Sequence, residues 1–150
     1  MDIGTLEKSV FRKLISNPPV LVKYIHKLSE EDFSQPLIKT VMGAFFDNSA
    51  VISQYVPSVQ YFQILLRDRI HDPKDLEHAA NVIAGLACTP IDHKDIDILI
   101  RELKANRMCR SLTQIVQKSI NNIKPESVED AYNEMLKDLL QLPLTASSGR

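Results

Sequence analysis

Residues 92–123 constrain the fold of this chain more than any other segment, because they predict one long α-helix with two different faces. Their apolar residues recur at steps of three and four, with a single irregular step near Asn106. Asp92 can accept hydrogen bonds from the first free amides, so we expect the helix to begin there. Pro125 lacks an amide proton and should end the helix. The segment therefore predicts a long arm on a compact head, which is more typical of a protein that assembles than of one that catalyses.

A second helix is predicted for residues 126–142. Its apolar residues are spaced four, three, four and three apart, as in a coiled-coil seam. These residues are Val128, Tyr132, Met135, Leu139 and Leu142. The short link between the two helices is typical of an antiparallel hairpin. Residues 92–124 carry seven basic and four acidic residues, whereas residues 125–142 carry one basic and five acidic residues. The seam and the opposite charges both favour packing of the second helix against the first.

The hairpin also predicts an interface with another copy of the chain. Two heptads bury little area, so apolar surface should remain exposed on the hairpin. The residues that we expect in this oligomer interface are Leu103, Met108, Leu112, Ile115, Val116, Ile120, Val128, Tyr132, Met135 and Leu139.

A band of basic residues follows the first of these two helices. It consists of Arg101, Lys104, Arg107 and Arg110. A solvated face, or a match for the acidic second helix, is the simpler interpretation, and contact with a nucleic acid or a partner protein is the alternative. The formal net charge of the chain is −1, which argues against an autonomous grip on a nucleic-acid backbone.

Residues 1–90 predict a head of short helices, so the expected fold class is all-α, with a compact helical bundle followed by a long antiparallel hairpin. The helices expected in the head cover residues 6–16, 20–28, 36–47, 57–70 and 73–87. Residues 51–56 fit either an extended segment or a helical turn. We expect residues 91–142 to form the hairpin of the same domain and residues 143–150 to be a flexible tail.

Single residues of the head have predicted structural roles. Asp2 or Thr5 can cap the first helix, and Phe33 should fill the core from the turn at residues 29–33. The side chains of the first helix that should face inward are Leu6, Val10, Phe11 and Leu14.

The sequence predicts a cytoplasmic protein. No apolar run approaches the roughly twenty residues of a membrane span, and the N-terminus lacks the basic and apolar regions of a signal peptide. Cys88 and Cys109 have no CxxC spacing, so unpaired thiols in a reducing compartment are the simplest interpretation.

Two enzyme classes can be weighed on the sequence. The chain has four glycines and no Gly-Lys pair, so it lacks the backbone nest that binds nucleotide phosphates, and we expect no ATP hydrolysis. His71 and Asp72 resemble the paired ligands of helical metal-dependent phosphohydrolases of the HD type. Because Pro73 follows at once, a helix cap is the simpler interpretation of Asp72. We therefore expect no catalytic residue, cofactor or metal in this chain.

An ordered set of motifs resembles the N-terminal domain of DnaB-type replicative DNA helicases. The motifs are EKSVFRKLISNP at residues 7–18, EDF at 31–33, TP at 89–90, IRELKANR at 100–107 and VEDAY at 128–132. Their order and spacing cover roughly residues 5–142. The chain has Arg12 where the family usually has glycine, and Leu37 and Ile38 where it often has His-Arg. These departures are more typical of a divergent phage member, which would act in the cytoplasm of an infected bacterial cell.

The resemblance implies a non-catalytic assembly and docking domain in DNA replication. Six such domains form a collar, often a trimer of dimers, in which hairpins pair between subunits. The collar offers a platform for primase and sometimes for a helicase loader, as part of a primosome. ATP and magnesium would be bound by a motor domain outside these residues, and this domain would contact DNA only weakly. The helicase-binding domain of a primase, which resembles this fold, is an alternative, and a helical phosphohydrolase is another.

Overall fold

The computed structural model describes residues 2–142, and all regular secondary structure in them is helical. The prediction of an all-α fold is confirmed. The α-helices are α1 (Ile3–Ile15), α2 (Pro18–Tyr24), α3 (Pro36–Asp47), α4 (Val59–Leu66), α5 (Pro73–Ala87), α6 (Ile96–Asn122) and α7 (Val128–Leu140). Short 3-10 turns cover Ile25–Lys27, Glu30–Asp32, Ser49–Gln54 and Pro125–Ser127. The tail predicted for residues 143–150 lies outside the described residues.

The chain divides into two compact units, and the division falls inside α6. The first unit ends at Leu103 and the second begins at Lys104. The sequence placed the end of the head earlier, at residue 90. The reason for the later boundary is burial, because Ile96, Ile100 and Leu103 from the start of α6 all lie in the hydrophobic core of the first unit.

Helix starts in the first unit follow local capping chemistry. The Asp2 carboxylate accepts a hydrogen bond from the Thr5 backbone N–H at 3.0 Å, so Asp2 caps α1. The bounds of α3 and α5 coincide with the predicted residues 36–47 and 73–87, and each of these helices has proline in its first turn. Helix α4 is shorter than the predicted 57–70. The Ser58 hydroxyl caps its start by accepting from the Tyr61 N–H at 3.1 Å, and the helix already ends at Leu66.

The predicted start of α6 at Asp92 is wrong, and the helix begins at Ile96. Asp92 does accept a hydrogen bond from a nearby amide, the Lys94 N–H at 2.9 Å, but this closes a turn that precedes the helix. Asp95 then has φ 64°, in the left-handed region that asparagine and aspartate tolerate better than most residues. A right-handed helix cannot run through that conformation, so helical geometry starts one residue later.

The core of the first unit contains the side chains that the sequence assigned to it. Leu6, Val10, Phe11 and Leu14 of α1 are buried, and so is Phe33. Glu7 is also fully buried, on the same helix. Its carboxylate accepts hydrogen bonds from the Ser34 backbone N–H, the Ser34 hydroxyl and the Gln35 N–H. These bonds tie the middle of α1 to the segment that starts α3, and they satisfy a carboxylate that would otherwise be costly to bury.

The same core contains an aromatic cluster. The Phe45 and Tyr55 rings meet edge to face with centroids 5.2 Å apart, and Tyr61 and Phe62 complete the cluster. The Tyr55 hydroxyl donates to the Ile15 carbonyl, and burial raises the pKa of this phenol. Of residues 51–56, which the sequence left open between extended and helical, residues 51–54 belong to the 3-10 turn, and Tyr55 that follows has an extended backbone.

Polar side chains from the link between α1 and α2 and from the end of α2 contact the connection between α5 and α6 and the helix ends on either side of it. The Ser16 hydroxyl donates to the Leu86 carbonyl at 3.3 Å, and the Asn17 amide donates to the Ile91 carbonyl at 3.4 Å. The Tyr24 hydroxyl donates to the Asp97 carboxylate at 2.6 Å. The connection that contains the Thr-Pro motif is therefore fixed by side chains from elsewhere in the unit.

Among residues 2–142, none of the helices combines the length and the apolar character needed to cross a membrane.

Candidate oligomer interface

In the second unit, ion pairs join α6 to α7. The Lys118 ammonium lies 3.1 Å from the Glu134 carboxylate and 3.4 Å from the Asp138 carboxylate. The two acidic residues are four apart, so they lie one above the other on the same face of α7. The hydrogen bond to Glu134 and the nearby charge of Asp138 raise the pKa of Lys118. These contacts place the C-terminal part of α6 beside the middle of α7.

Small residues line the place where the two helices meet. Ser119 of α6 and Ala131 of α7 are both buried. Both line one narrow cleft, together with Lys118, Asn122, Glu134 and Asp138. Lys118 lies four residues before the end of α6, and its partners Glu134 and Asp138 lie six and ten residues after the start of α7. Contacts on both sides of a short link agree with an antiparallel course of the two helices, and the short side chains allow a close approach.

Large apolar residues on α6, on α7 and in their connection are exposed. Among residues 2–142, eight of the fourteen exposed large apolar side chains fall within residues 112–140. We call this set the apolar face; it consists of Leu112, Val116, Ile120, Ile123, Val128, Tyr132, Leu136 and Leu140. Val116 is 46% exposed and Tyr132 is 57% exposed. Exposed apolar residues concentrated in this way are typical of a surface that binds a protein.

The exposed residues of the two helices lie on the same side of the pair. Ile120 directly follows the contact residue Ser119, and Tyr132 directly follows the contact residue Ala131. One residue further along an α-helix is about 100° further round its axis, always in the same rotational sense. For two antiparallel helices, an equal rotation away from the line of contact leads to the same side. Residues such as Ile120 and Tyr132 therefore belong to one continuous surface.

Most residues of the predicted oligomer interface lie on or beside this surface. Those in the apolar face are Leu112, Val116, Ile120, Val128 and Tyr132, and those that are half-buried beside it are Met108, Ile115, Met135 and Leu139. The prediction that Leu103 belongs to the oligomer interface is wrong. It is completely buried in the core of the first unit, so its side chain offers no surface to a second chain.

The predicted seam between the two helices also needs correction. Val128 and Tyr132 were expected to pack against the preceding helix, but both are more than half exposed. Ala131, with the ion-paired Glu134 and Asp138, lies at the contact instead. The rotation of α7 thus differs from the predicted one by about one residue, because a small side chain and two charges occupy the contact. Leu136 and Leu140 were missed in the predicted interface for the same reason.

The predicted basic band is not one solvated surface. Arg101 is exposed and Arg107 and Arg110 are half-buried, but Lys104 is only 6% exposed. The interpretation of these residues as one continuous solvated face is therefore wrong at Lys104.

The alternative site at His71 and Asp72 has a structural explanation. The Asp72 carboxylate accepts hydrogen bonds from the Lys74 N–H at 2.8 Å and the Asp75 N–H at 3.2 Å, so it caps α5. Within residues 2–142, no group of three or more His, Cys, Asp or Glu side chains is arranged to hold a metal ion. Both cysteines are unpaired, and both are exposed.

Comparisons of the chain with protein-family models, with curated proteins and with solved structures found no match. The likeness to DnaB-type helicases therefore rests on the sequence motifs alone.

Proposed function

We propose that this chain is a non-catalytic assembly and docking domain of the kind found at the N-terminus of DnaB-type replicative helicases. The observation that carries the proposal is the apolar face, which is exposed on two helices. Its side chains can be removed from water only by contact with a partner. The order of the sequence motifs along residues 5–142 supports the assignment to DnaB-type helicases. In this role, α6 and α7 of neighbouring copies pair and build a collar.

The fold supports the proposal in a second way. The first unit has its own hydrophobic core, its helix caps and its buried Glu7 network, all made within residues 2–103. It therefore does not need the apolar face for its own stability. A surface that the first unit does not require for folding and that still exposes large apolar residues is best explained by an interaction.

The partner proposed outside the ring is a primase, and a helicase loader is a further candidate. Immobilised chain is incubated with the purified cognate primase, encoded by the same genome, and, separately, with the purified cognate DnaB-type helicase. We expect retention of primase. Retention of helicase without primase would identify the chain as the helicase-binding domain of a primase, and retention of neither would contradict the docking role. A sequence of the form Gly-x-x-x-x-Gly-Lys-Ser/Thr further along the same gene would support the helicase assignment.

A further inference from the structure

We infer that α7 is a conditional helix: in the single chain it opens from α6 while the first unit stays folded, and covering the apolar face holds it closed. The opening depends only on contacts within one chain. The closing of α7 by a second copy rests on the proposed function, to which it adds a folding step.

The second unit has almost no hydrophobic core. Among residues 105–142, only Ser119 and Ala131 are buried, and both side chains are small. The half-buried Met135 and Leu139 add only partial burial. The core of the first unit, in contrast, buries large side chains and includes no residue of α7. Because the hydrophobic contribution to stability scales with the apolar area removed from water, little of it holds α7 against α6.

The ion pairs between α6 and α7 do not replace this core. Lys118 pairs with Glu134 and Asp138. The Lys118 and Glu134 side chains are 53% and 54% exposed, so water competes for both charges. Exposed ion pairs of this kind contribute little to stability. They orient α7 when it is closed, but they do not keep it closed.

The length of α7 does not make it stable by itself. It has 13 residues, and isolated helices of about this length are marginal in water because the first turn is costly to form. Ser127, which precedes the helix, makes no side-chain capping hydrogen bond. The acidic Glu129 and Asp130 in the first turn favour the helix dipole, which is a small effect at an exposed position. The closed and open states of α7 are therefore close in free energy.

The opening of α7 has a consequence for binding. The apolar face includes Val116 from α6 and Tyr132 from α7, so it is complete only when α7 is closed. A partner that covers both helices binds the closed state and shifts the equilibrium towards it. The apparent affinity of the chain for that partner is reduced by the fraction of chains that are open. Folding of α7 and association are therefore linked.

Hydrogen exchange measured by mass spectrometry tests the opening of α7 in the full chain. The reference is α5, a helix of similar length in which Ala80 and Ile83 are buried. At a concentration where light scattering shows a monomer, we expect the amides of α7 to exchange at least about 100-fold faster than those of α5. Equal protection of the two helices in the monomer would overturn the inference.

The same measurement at high concentration tests the closing of α7 by a second copy. Where light scattering shows an assembly, we expect the exchange of α7 to slow at least about tenfold. An assembly in which α7 exchanges as fast as in the monomer would overturn the linkage. A chain that stays monomeric at every concentration would contradict the proposed function and the closing by a second copy. Rapid exchange of α7 in that monomer would still support the opening.

A covalent tether between the helices gives a matched control. Cys88 and Cys109 are first replaced by serine, because both are exposed. Lys118→Cys and Glu134→Cys, whose native side chains lie 3.1 Å apart, are then joined by a short bismaleimide. We expect α7 of the joined monomer to exchange at least about tenfold slower than α7 of the same variant without the linker, and the joined chain to associate several-fold more tightly. Equal exchange with and without the linker would overturn the inference.

Discussion

The ammonium of Lys118 lies 3.1 Å from the carboxylate of Glu134, which shows that this side of α7 is turned towards α6. With Glu134 turned towards α6, Ala131 lies in the contact and Tyr132 is left exposed. The same rotation leaves Val128 and Leu136 exposed. One exposed ion pair contributes little to stability, but this one shows which side of α7 remains uncovered.

The contact between α6 and α7 should depend on Leu139, which is half-buried. Leu139→Asp places a carboxylate at an apolar position, and we expect a loss of about 1–3 kcal/mol of unfolding free energy in the second unit. The matched control is Asn133→Asp, which adds the same charge at an exposed position of α7. Urea unfolding, monitored by circular dichroism, measures the unfolding free energy of both variants. Equal stability of the two variants would show that the contact between α6 and α7 does not depend on Leu139.

The buried carboxylate of Glu7 should be essential to the first unit. Glu7→Gln keeps one oxygen for the two backbone N–H groups of Ser34 and Gln35, but it removes the negative charge and puts an NH2 donor opposite the Ser34 hydroxyl. We expect a loss of about 1–2 kcal/mol, because charge-assisted hydrogen bonds are replaced by neutral ones. Glu77→Gln is the control, because Glu77 is exposed on α5 and should cost almost nothing. Thermal unfolding compares the stability of both variants with wild type, and a Glu7→Gln protein as stable as wild type would refute the importance of the Glu7 carboxylate for the first unit.

Two glycines on helices should respond oppositely to alanine. Nothing lies within 4 Å of a Cβ added to Gly85, so Gly85→Ala should stabilise the chain by about 0.5–1 kcal/mol. A Cβ on Gly43 would overlap the Glu30 Oε1 atom and lie 2.5 Å from the Arg69 Nη1 atom. Gly43→Ala must therefore displace the paired side chains of Glu30 and Arg69. We expect no gain in melting temperature for Gly43→Ala, and a gain as large as that of Gly85→Ala would contradict the packing around Gly43.

The hydrogen bond from Tyr24 to Asp97 should make stability depend on pH at the alkaline end. This bond raises the pKa of Tyr24 from 10.0 to about 12. Because the folded chain retains a proton that the unfolded chain loses, the contribution is complete below pH 10 and is lost as the pH rises towards 12. Tyr24→Phe should cost about 1 kcal/mol at neutral pH. Urea unfolding at several pH values should show the difference from wild type shrinking above pH 10, and a constant difference would contradict this assignment.

Local signals in the sequence predict much of the first unit. Pro36 and Pro73 mark the starts of α3 and α5, and Asp72 caps the second of these helices as expected. The start of α6 was harder to predict because Asp92 and Asp95 are both good capping residues. The left-handed backbone of Asp95, which decides between them, has no separate mark in the sequence.

The surface of the second unit was predictable only in part. The periodic apolar stripe of α6 continues through Leu103, but Leu103 is buried in the first unit and Leu112 is exposed in the second. Periodicity cannot show that the partner of a stripe changes along one helix. On α7, the heptad pattern predicts that large residues such as Tyr132 lie at the contact with α6, whereas the small Ala131 is the buried residue. That choice depends on tertiary packing and on the Lys118 ion pairs.

The central claim is that the apolar face binds a second copy of the chain, and molar mass by light scattering tests it most directly. The wild-type chain should have a mass at least twice that of the monomer at high concentration. Val116→Asp places a carboxylate in the apolar face and should weaken association at least about tenfold. Gln114→Asp, which adds the same charge at an exposed position of α6 away from the apolar face, should associate like wild type. A wild-type chain that remains a strict monomer, or a Val116→Asp variant that associates as tightly as wild type, would contradict the claim.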